Sequence, residues 1–283
     1  MNATQGYLNR TIPFSVVDGP GSRFVIFMQG CNFNCIACHN PYTIMACDDC
    51  GVCVGPCPEN ALSMSGMSVV LDPVACNDCG VCIDVCPNDS TPLATWTSVE
   101  SLISEIRSAA PFIRGITVSG GEATIQTDFL VDLFSAIRND GSIAHLSILV
   151  DSNGAASRET WDRLIPLMDG AMIDLKALDP VVHRRLTARD NGQVLESIRY
   201  LAGHQRLTEV RVLAMPGYNT DQRSATAASS WVATVAPGVP VKLIGFRHHG
   251  VRSEGLHVEP ASSDDLQTMK TAMSDTGLRV TVV

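Results

Sequence analysis

The chain has 283 residues, 45% hydrophobic and 17% charged, with a formal net charge of −9. These are globular values for one large domain or two small ones, and the negative charge argues against a nucleic-acid partner, because phosphate backbones would repel it. No apolar run approaches the ~20 residues that cross a bilayer, and Arg10 and Asp18 flank no signal-like apolar stretch, so a cytoplasmic protein without a membrane partner is expected. The eleven cysteines are an odd number without an export signal, which argues for metal ligands over a disulfide framework.

In chain order, a strand is expected around Thr11-Ile-Pro-Phe-Ser15, followed by the turn Asp18-Gly-Pro-Gly21. The apolar run Arg23–Gly30 reads as a buried strand that delivers the loop Cys31–Cys38. Residues 41–92 differ in composition and hold a hairpin over 61–71, with Ser65-Gly66 at its turn. From 93 onward helix and strand alternate. Helices are expected over 98–109, around 130–137, near 157–167, within 179–203, near 221–235 and near 260–276. Strands are expected over 115–119, 145–150, 170–175, 209–214, 241–246 and 278–283. Such β-then-α units imply a parallel sheet, here a partial (β/α)6 TIM-like barrel of α/β class. The expected domains are 1–40 with 93–283 for the barrel, and 41–92, whose eight cysteines form two C-x2-C-x2-C-x3-C-P runs, as a ferredoxin-like insert carrying two clusters.

The cysteines fall into three sets. Cys31, Cys35 and Cys38 are spaced C-x3-C-x2-C, so one loop can hold three irons of a [4Fe–4S] cluster and leave the fourth open to a small molecule. Cys47, Cys50, Cys53 and Cys57, then Cys76, Cys79, Cys82 and Cys86, each follow C-x2-C-x2-C-x3-C-P. In such runs the fourth cysteine serves the other cluster. Cys47, Cys50, Cys53 and Cys86 are therefore assigned to one cluster, and Cys76, Cys79, Cys82 and Cys57 to the other. Zinc is the competing account, but zinc sites usually pair two C-x2-C units.

Sites in parallel α/β folds form at the carboxyl ends of strands. Here those ends carry Ser119-Gly120-Gly121-Glu122, Asp151-Ser152-Asn153, Asp174-Leu175-Lys176, Arg211 and Arg247-His248-His249. The Gly120-Gly121 pair would let backbone approach a ligand, and Glu122 offers an anion for an ammonium group. Taken singly, these segments could equally be turns or solvated, helix-capping carboxylates.

The cysteine loop after an apolar strand resembles the radical S-adenosylmethionine (SAM) enzymes. With Asp18-Gly-Pro-Gly21, Arg23, Gln29-Gly30-Cys31 and Cys38-His39-Asn40-Pro41, the chain resembles the glycyl-radical-enzyme activases. The added cysteine runs make it most similar to the YjjW type. The resemblance implies reductive cleavage of SAM to methionine and a 5′-deoxyadenosyl radical, which takes hydrogen from a backbone glycine of a partner glycyl radical enzyme. It implies that the Asp18 turn lies where the target peptide arrives. It further implies SAM contacts from Ala37, Cys38, His39, Gly120, Gly121 and Glu122, the last at the amino group. Asp151, Asp174, Ser152 and the backbone of Met172 would hold a monovalent cation. Lys176 and Arg211 would face SAM's carboxylate, with Leu175 and Arg247 alongside. Three [4Fe–4S] clusters, a ferredoxin or flavodoxin donor and a monomer complete the expectation. Two other readings stand beside it. One is a radical SAM enzyme that modifies another peptide or a small molecule; the other is an electron-transfer protein without catalysis.

Overall fold

The computed structural model describes residues 4–253 and 255–283. Strand β1 (Gln5–Ser15) pairs antiparallel with β2 (Arg23–Met28), which leads into the Cys31 loop. The cysteine-rich segment holds a small hairpin, β3 (Leu62–Ser65) with β4 (Ser68–Leu71), and a one-turn helix, α1 (Val81–Asp84). Next come β5 (Thr95–Ser98), α2 (Val99–Ala109), β6 (Gly115–Gly120), α3 (Thr127–Asn139) and β7 (Ser147–Ser152). They are followed by α4 (Arg158–Leu164), β8 (Gly170–Leu175), α5 (Pro180–Thr187), α6 (Gly192–Gly203) and β9 (Leu207–Ala214). The chain ends with α7 (Gln222–Val235), β10 (Val241–Gly245), α8 (Ser263–Ser274) and β11 (Val280–Val282).

One nine-stranded sheet organises the molecule, in the order β11-β10-β9-β8-β7-β6-β2-β1-β5. From β2 to β11 every pairing is parallel; β1 and β5 extend it antiparallel. Alternation along each strand divides the residues between two faces. One face carries Ile26, Val118, Val150, Ile173, Val212 and Leu243, all packed into a single large core with the helices. Trp161 on α4 is fully buried in that core and donates its indole N–H to Ser197 Oγ at 2.8 Å. Several helices begin on capping side chains: Ser98, Ser157, Asp179, Asp221 and Ser262 each accept a first-turn N–H. Such a cap is worth ~1 kcal/mol.

The opposite face is polar. In register it presents Ser119, Asp151, Asp174, Arg211 and Lys242, none of them covered by the main core. Toward the strand starts Arg23, 1% exposed, fills this face. Its guanidinium donates to Thr117 Oγ1 at 3.0 Å, to Ser147 Oγ at 2.6 Å and to the Ile116 and Ser147 carbonyls. All these partners are neutral, and burial lowers the Arg23 pKa to about 10. The Asp18 turn packs here as well, with Thr117 Oγ1 donating to the Asp18 carbonyl at 2.7 Å. It therefore sits at the strand-start end of the polar face, away from the cysteine loop.

The observed elements differ from expectation at several points, of which four bear on the architecture. Strand β5 is an addition to the expected elements, because four residues carry little periodicity. Strand β7 runs to Ser152 instead of ending at 150, since Asp151 keeps register with Met172 and finds partners on its own face. The hairpin turn is Gly66-Met67, one residue later than expected, because Ser65 pairs with Ser68. Helix α4 stops at Leu164. Among the described residues no helix is long and apolar enough to cross a membrane.

Candidate active site

The Cys31–Cys38 loop lies over the carboxyl ends of β6 to β9 and is held from three sides. Gly30 N–H and Cys31 N–H donate to the Thr43 and Ile44 carbonyls at 2.8 and 3.0 Å. The end of α5 takes the middle, with Asn34 N–H to Thr187 O and Ile36 N–H to Leu186 O, both 3.0 Å. Arg189 Nε donates to Asn32 O at 3.0 Å. Phe33, 4% exposed, meets the edge of the His183 ring at 5.7 Å. Under the loop a small second core gathers Ala177, Leu186, Met215 and Phe246, with Ile36 and Ala37 packed on it.

The three thiols fit a cluster by their chemistry. Cys31 Sγ accepts from Phe33 N–H at 3.4 Å and faces Asn153 Nδ2 at 3.8 Å, donors that favour a thiolate. Burial pushes Cys31 up to about 12 and Cys35 up to about 11, and it raises Cys38. Thiols this reluctant to ionise give up their protons to a bound cation.

Below the loop the expected acids and bases converge. Arg211 Nη1 pairs with Asp151 Oδ1 at 2.8 Å, and its Nε pairs with Glu209 at 3.0 Å. Ser119 Oγ donates to Asp151 Oδ2 at 2.9 Å, and Lys176 Nζ pairs with Asp174 Oδ2 at 2.8 Å. Burial pushes Asp151 up, Arg211 opposing and Asp174 adding. For Lys176, burial acts against the charge, but Asp174 and the Cys35 and Cys38 thiolates outweigh it and raise the pKa. His39 lies beside Lys176, His249 and Arg247; burial first, then the Lys176 charge, lowers its pKa. Arg247 itself is exposed.

Several of the expected site residues also carry contacts within the chain. Glu122 is fully buried, and its carboxylate accepts from Thr124 N–H (3.1 Å), Thr124 Oγ1 (2.5 Å), Ser152 Oγ (2.8 Å) and Asn153 N–H (2.7 Å). These bonds tie β6 to β7. Ser152 therefore points its hydroxyl to the face opposite Asp151, which leaves only its carbonyl for a cation. Leu175 turns into the helix-covered core, so only its backbone faces the site. Gly120 and Gly121 make room for the chain itself: an added Cβ would strike Met28 backbone at Gly120 and the Gly30 carbonyl at Gly121.

A model of the radical SAM superfamily matches residues 25–229, well over half of the chain. The chain belongs to the radical SAM superfamily. A [4Fe–4S] cluster and SAM are the cofactors that membership implies. The chain is 30% identical over 226 residues to the trans-4-hydroxy-L-proline dehydratase activating enzyme of Clostridioides difficile, covering 74% of each. It is 29% identical over 235 residues to the pyruvate formate-lyase-activating enzyme of Streptococcus mutans, covering 81% of this chain and 73% of that one. In fold it is similar to a domain of pyruvate-formate lyase-activating enzyme from Bacteroides vulgatus. The TM-score there is 0.52 at 24% identity, over 60% of this chain and 98% of that one.

Sequence reasoning missed the residues that brace this radical SAM site. Gln29 Nε2 donates to Tyr42 O at 2.8 Å and Met45 O at 2.6 Å, tying β2 to the cysteine-rich segment. Asn153 bridges Glu122 to the cysteine loop, its Nδ2 donating to Asn32 Oδ1 at 2.8 Å. Asn219 Nδ2 donates to the Lys176 and Leu213 carbonyls at 3.0 and 2.7 Å. Arg252 Nη2 donates to Asn34 Oδ1 at 2.6 Å and to Cys35 O at 3.3 Å. Asn153 was marked by its carboxyl-end position and Gln29 by its place in the Gln29-Gly30-Cys31 run, but neither signal pointed to these bonds.

The eight remaining cysteines sit on a structural repeat. Asp49, Gly51 and Asn60 have φ of 60°, 76° and 50°; Asp78, Gly80 and Asp89, each 29 residues later, have φ of 57°, 81° and 46°. Cys57 Sγ accepts from Ala61 N–H at 3.3 Å, and Cys86 Sγ accepts from Ser90 N–H at the same distance. One cleft is lined by Cys57, Cys76, Cys79 and Cys82. Cys86 lies within electrostatic reach of Cys47 and Cys53. Among the described residues no three His, Cys, Asp or Glu side chains converge closely enough to hold a single metal ion.

Proposed function

We propose that this chain is a glycyl-radical-enzyme activase, which generates a glycyl radical on the backbone of a partner glycyl radical enzyme. One observation carries the reading. The polar ends of β6 to β9 meet the three-cysteine loop in a chain that aligns with two activating enzymes over most of its length. When bound, the cluster and SAM together supply the electron, the methionine leaving group and the 5′-deoxyadenosyl radical that takes the glycine hydrogen.

The chain's own residues bind, orient and exclude water. Cys31, Cys35 and Cys38 hold the cluster, with Ala37 and His39 beside it. The Gly120-Gly121-Glu122 segment receives SAM's amino end, and the bonds of Glu122 to Ser152 and Asn153 hold that corner rigid. Asp151, Asp174 and the carbonyls of Ser152 and Met172 form the monovalent-cation site. Lys176 and Arg211 stand for SAM's carboxylate, with Arg247 at the rim. Both inner cations already pair with Asp174 and Asp151, so a carboxylate joins a balanced charge network.

Residues 41–92 form, in this reading, a YjjW-type ferredoxin-like insert with two further [4Fe–4S] clusters, three in all. The 29-residue repeat of left-handed residues and the four-cysteine cleft support it. Cys47, Cys50, Cys53 and Cys86 serve one cluster, and Cys57, Cys76, Cys79 and Cys82 the other. A ferredoxin or flavodoxin donor meets the segment through a neutral or basic face, because 41–92 contains seven Asp or Glu and no Lys or Arg. A monomer suffices for all of this.

The test is an anaerobic electron paramagnetic resonance (EPR) experiment with protein, SAM, reductant and a glycyl radical enzyme encoded nearby. The expected result is a glycyl doublet that is absent with Cys35→Ala. If 5′-deoxyadenosine forms but no doublet appears, the target is another peptide or a small molecule.

A further inference from the structure

We propose that Arg252 is a positioning residue for the SAM-cleaving site, clamping the Cys31–Cys38 loop to the cysteine-rich segment and setting a positive charge beside Cys35. The proposal rests on the functional reading above and adds to it a residue that lies in none of the cysteine motifs or strand ends.

Arg252 lies in the connection between β10 and α8, more than 200 positions from the loop it touches. Its Nη2 bonds Asn34 Oδ1 at 2.6 Å and Cys35 O at 3.3 Å, while Nη1 reaches Asp89 Oδ2 at 3.9 Å. Three segments therefore meet on one guanidinium: the C-terminal connection, the three-cysteine loop, and the stretch just after Cys86. The same three line one cleft, with Cys31, Asn34, Met45, Asn88 and Asp89 around Arg252. The side chain is only 16% exposed, so solvent screens its charge weakly. Asp89, at 57%, is the exposed partner. Asp89 is also one of the left-handed residues of the repeat, with φ of 46°, so the backbone itself presents that carboxylate to the cleft.

The electrostatic consequence has a sign. A group held by the loop thiolates that takes up one electron becomes more negative, and a nearby cation stabilises that added charge. Asp89 acts in the opposite sense by partly neutralising the cation. The one-electron reductant is the low-potential donor that the functional reading already requires.

The test uses the full iron-loaded chain. Anaerobic redox titration followed by EPR reads the midpoint potential of the signal that SAM perturbs, beside iron content per chain. With Arg252→Gln the potential is expected to move negative while iron content holds. Arg252→Lys, which keeps the charge, should stay nearer the parent. Asp89→Asn should move the potential in the positive direction. A purely structural role would not give opposite signs from the two sides of one contact. If Arg252→Gln fails to load iron, Asp89→Asn, which leaves the loop bonds intact, still decides. Unchanged potentials, or shifts of one sign in both variants, would overturn the proposal alone. A parent protein without any SAM-perturbed signal would instead remove the functional reading beneath it.

Discussion

The sheet and the cysteine-rich segment are built on different principles. The sheet buries Trp161, Phe129, Phe134 and a run of strand aliphatics in one continuous core. In 41–92, helix α1 has no buried residue, and the hairpin buries little beyond Leu62. Seven of the chain's nine net negative charges fall in this segment. On the proposed two-cluster reading, a stretch so poor in apolar burial and so uniformly charged gains its order from what its thiols bind. The sheet should stand without that help.

Removing iron is the strongest way to break the contrast. After chelation, amides of 41–92 should lose hydrogen-exchange protection while those of β6 to β9 keep theirs, read by mass spectrometry. Equal protection in both regions would show that the segment has a core of its own.

The thiols should divide along the same line. Cys35→Ala should abolish 5′-deoxyadenosine formation with any reductant. Cys76→Ala should keep it with a strong chemical reductant but lose more than an order of magnitude with a protein donor, measured by chromatography. Equal loss under both reductants would erase the distinction.

On the sheet side, Glu122→Ala strands the Ser152, Asn153 and Thr124 donors in a dry site and should cost about 3 kcal/mol in denaturant unfolding. A smaller change is Trp161→Phe. It removes one buried hydrogen bond to Ser197 and should cost about 1 kcal/mol.

The smallest effect is one of pH. Hydrogen bonds from Ser142, with Arg107 nearby, lower the Asp140 carboxyl to about 2. Its folded value lies below its unfolded value. The contribution is therefore complete above the ordinary carboxylate range and is lost as pH falls toward 2. Acid unfolding curves of Asp140→Asn and the parent should converge at low pH.

Much of the fold was readable because each parallel strand is an apolar run that stops at polar residues. Asp174-Leu175-Lys176 could be placed at a strand end on that basis alone. The orientation of individual side chains was not readable. Whether Glu122 faces a ligand or Ser152 depends on how β6 and β7 sit side by side, which no local spacing encodes. The bracing bonds of Arg252 and Gln29 were invisible for a related reason: each acts on carbonyls or amides outside its own segment, and a backbone carbonyl leaves no residue-specific mark. Strand β5 exists because β1 offers it an edge, and that edge is set by pairing, not by the sequence Thr95–Ser98 itself.

The ends of the sheet, β5 on one side and β11 on the other, do not pair with each other. A closed ring of strands presents a bight of chain with its mouth alone; a sheet whose outer strands stay unpaired presents a flank as well. A glycine in the middle of a folded protein can be offered only as such a bight, to be laid in and lifted out again without cutting either molecule.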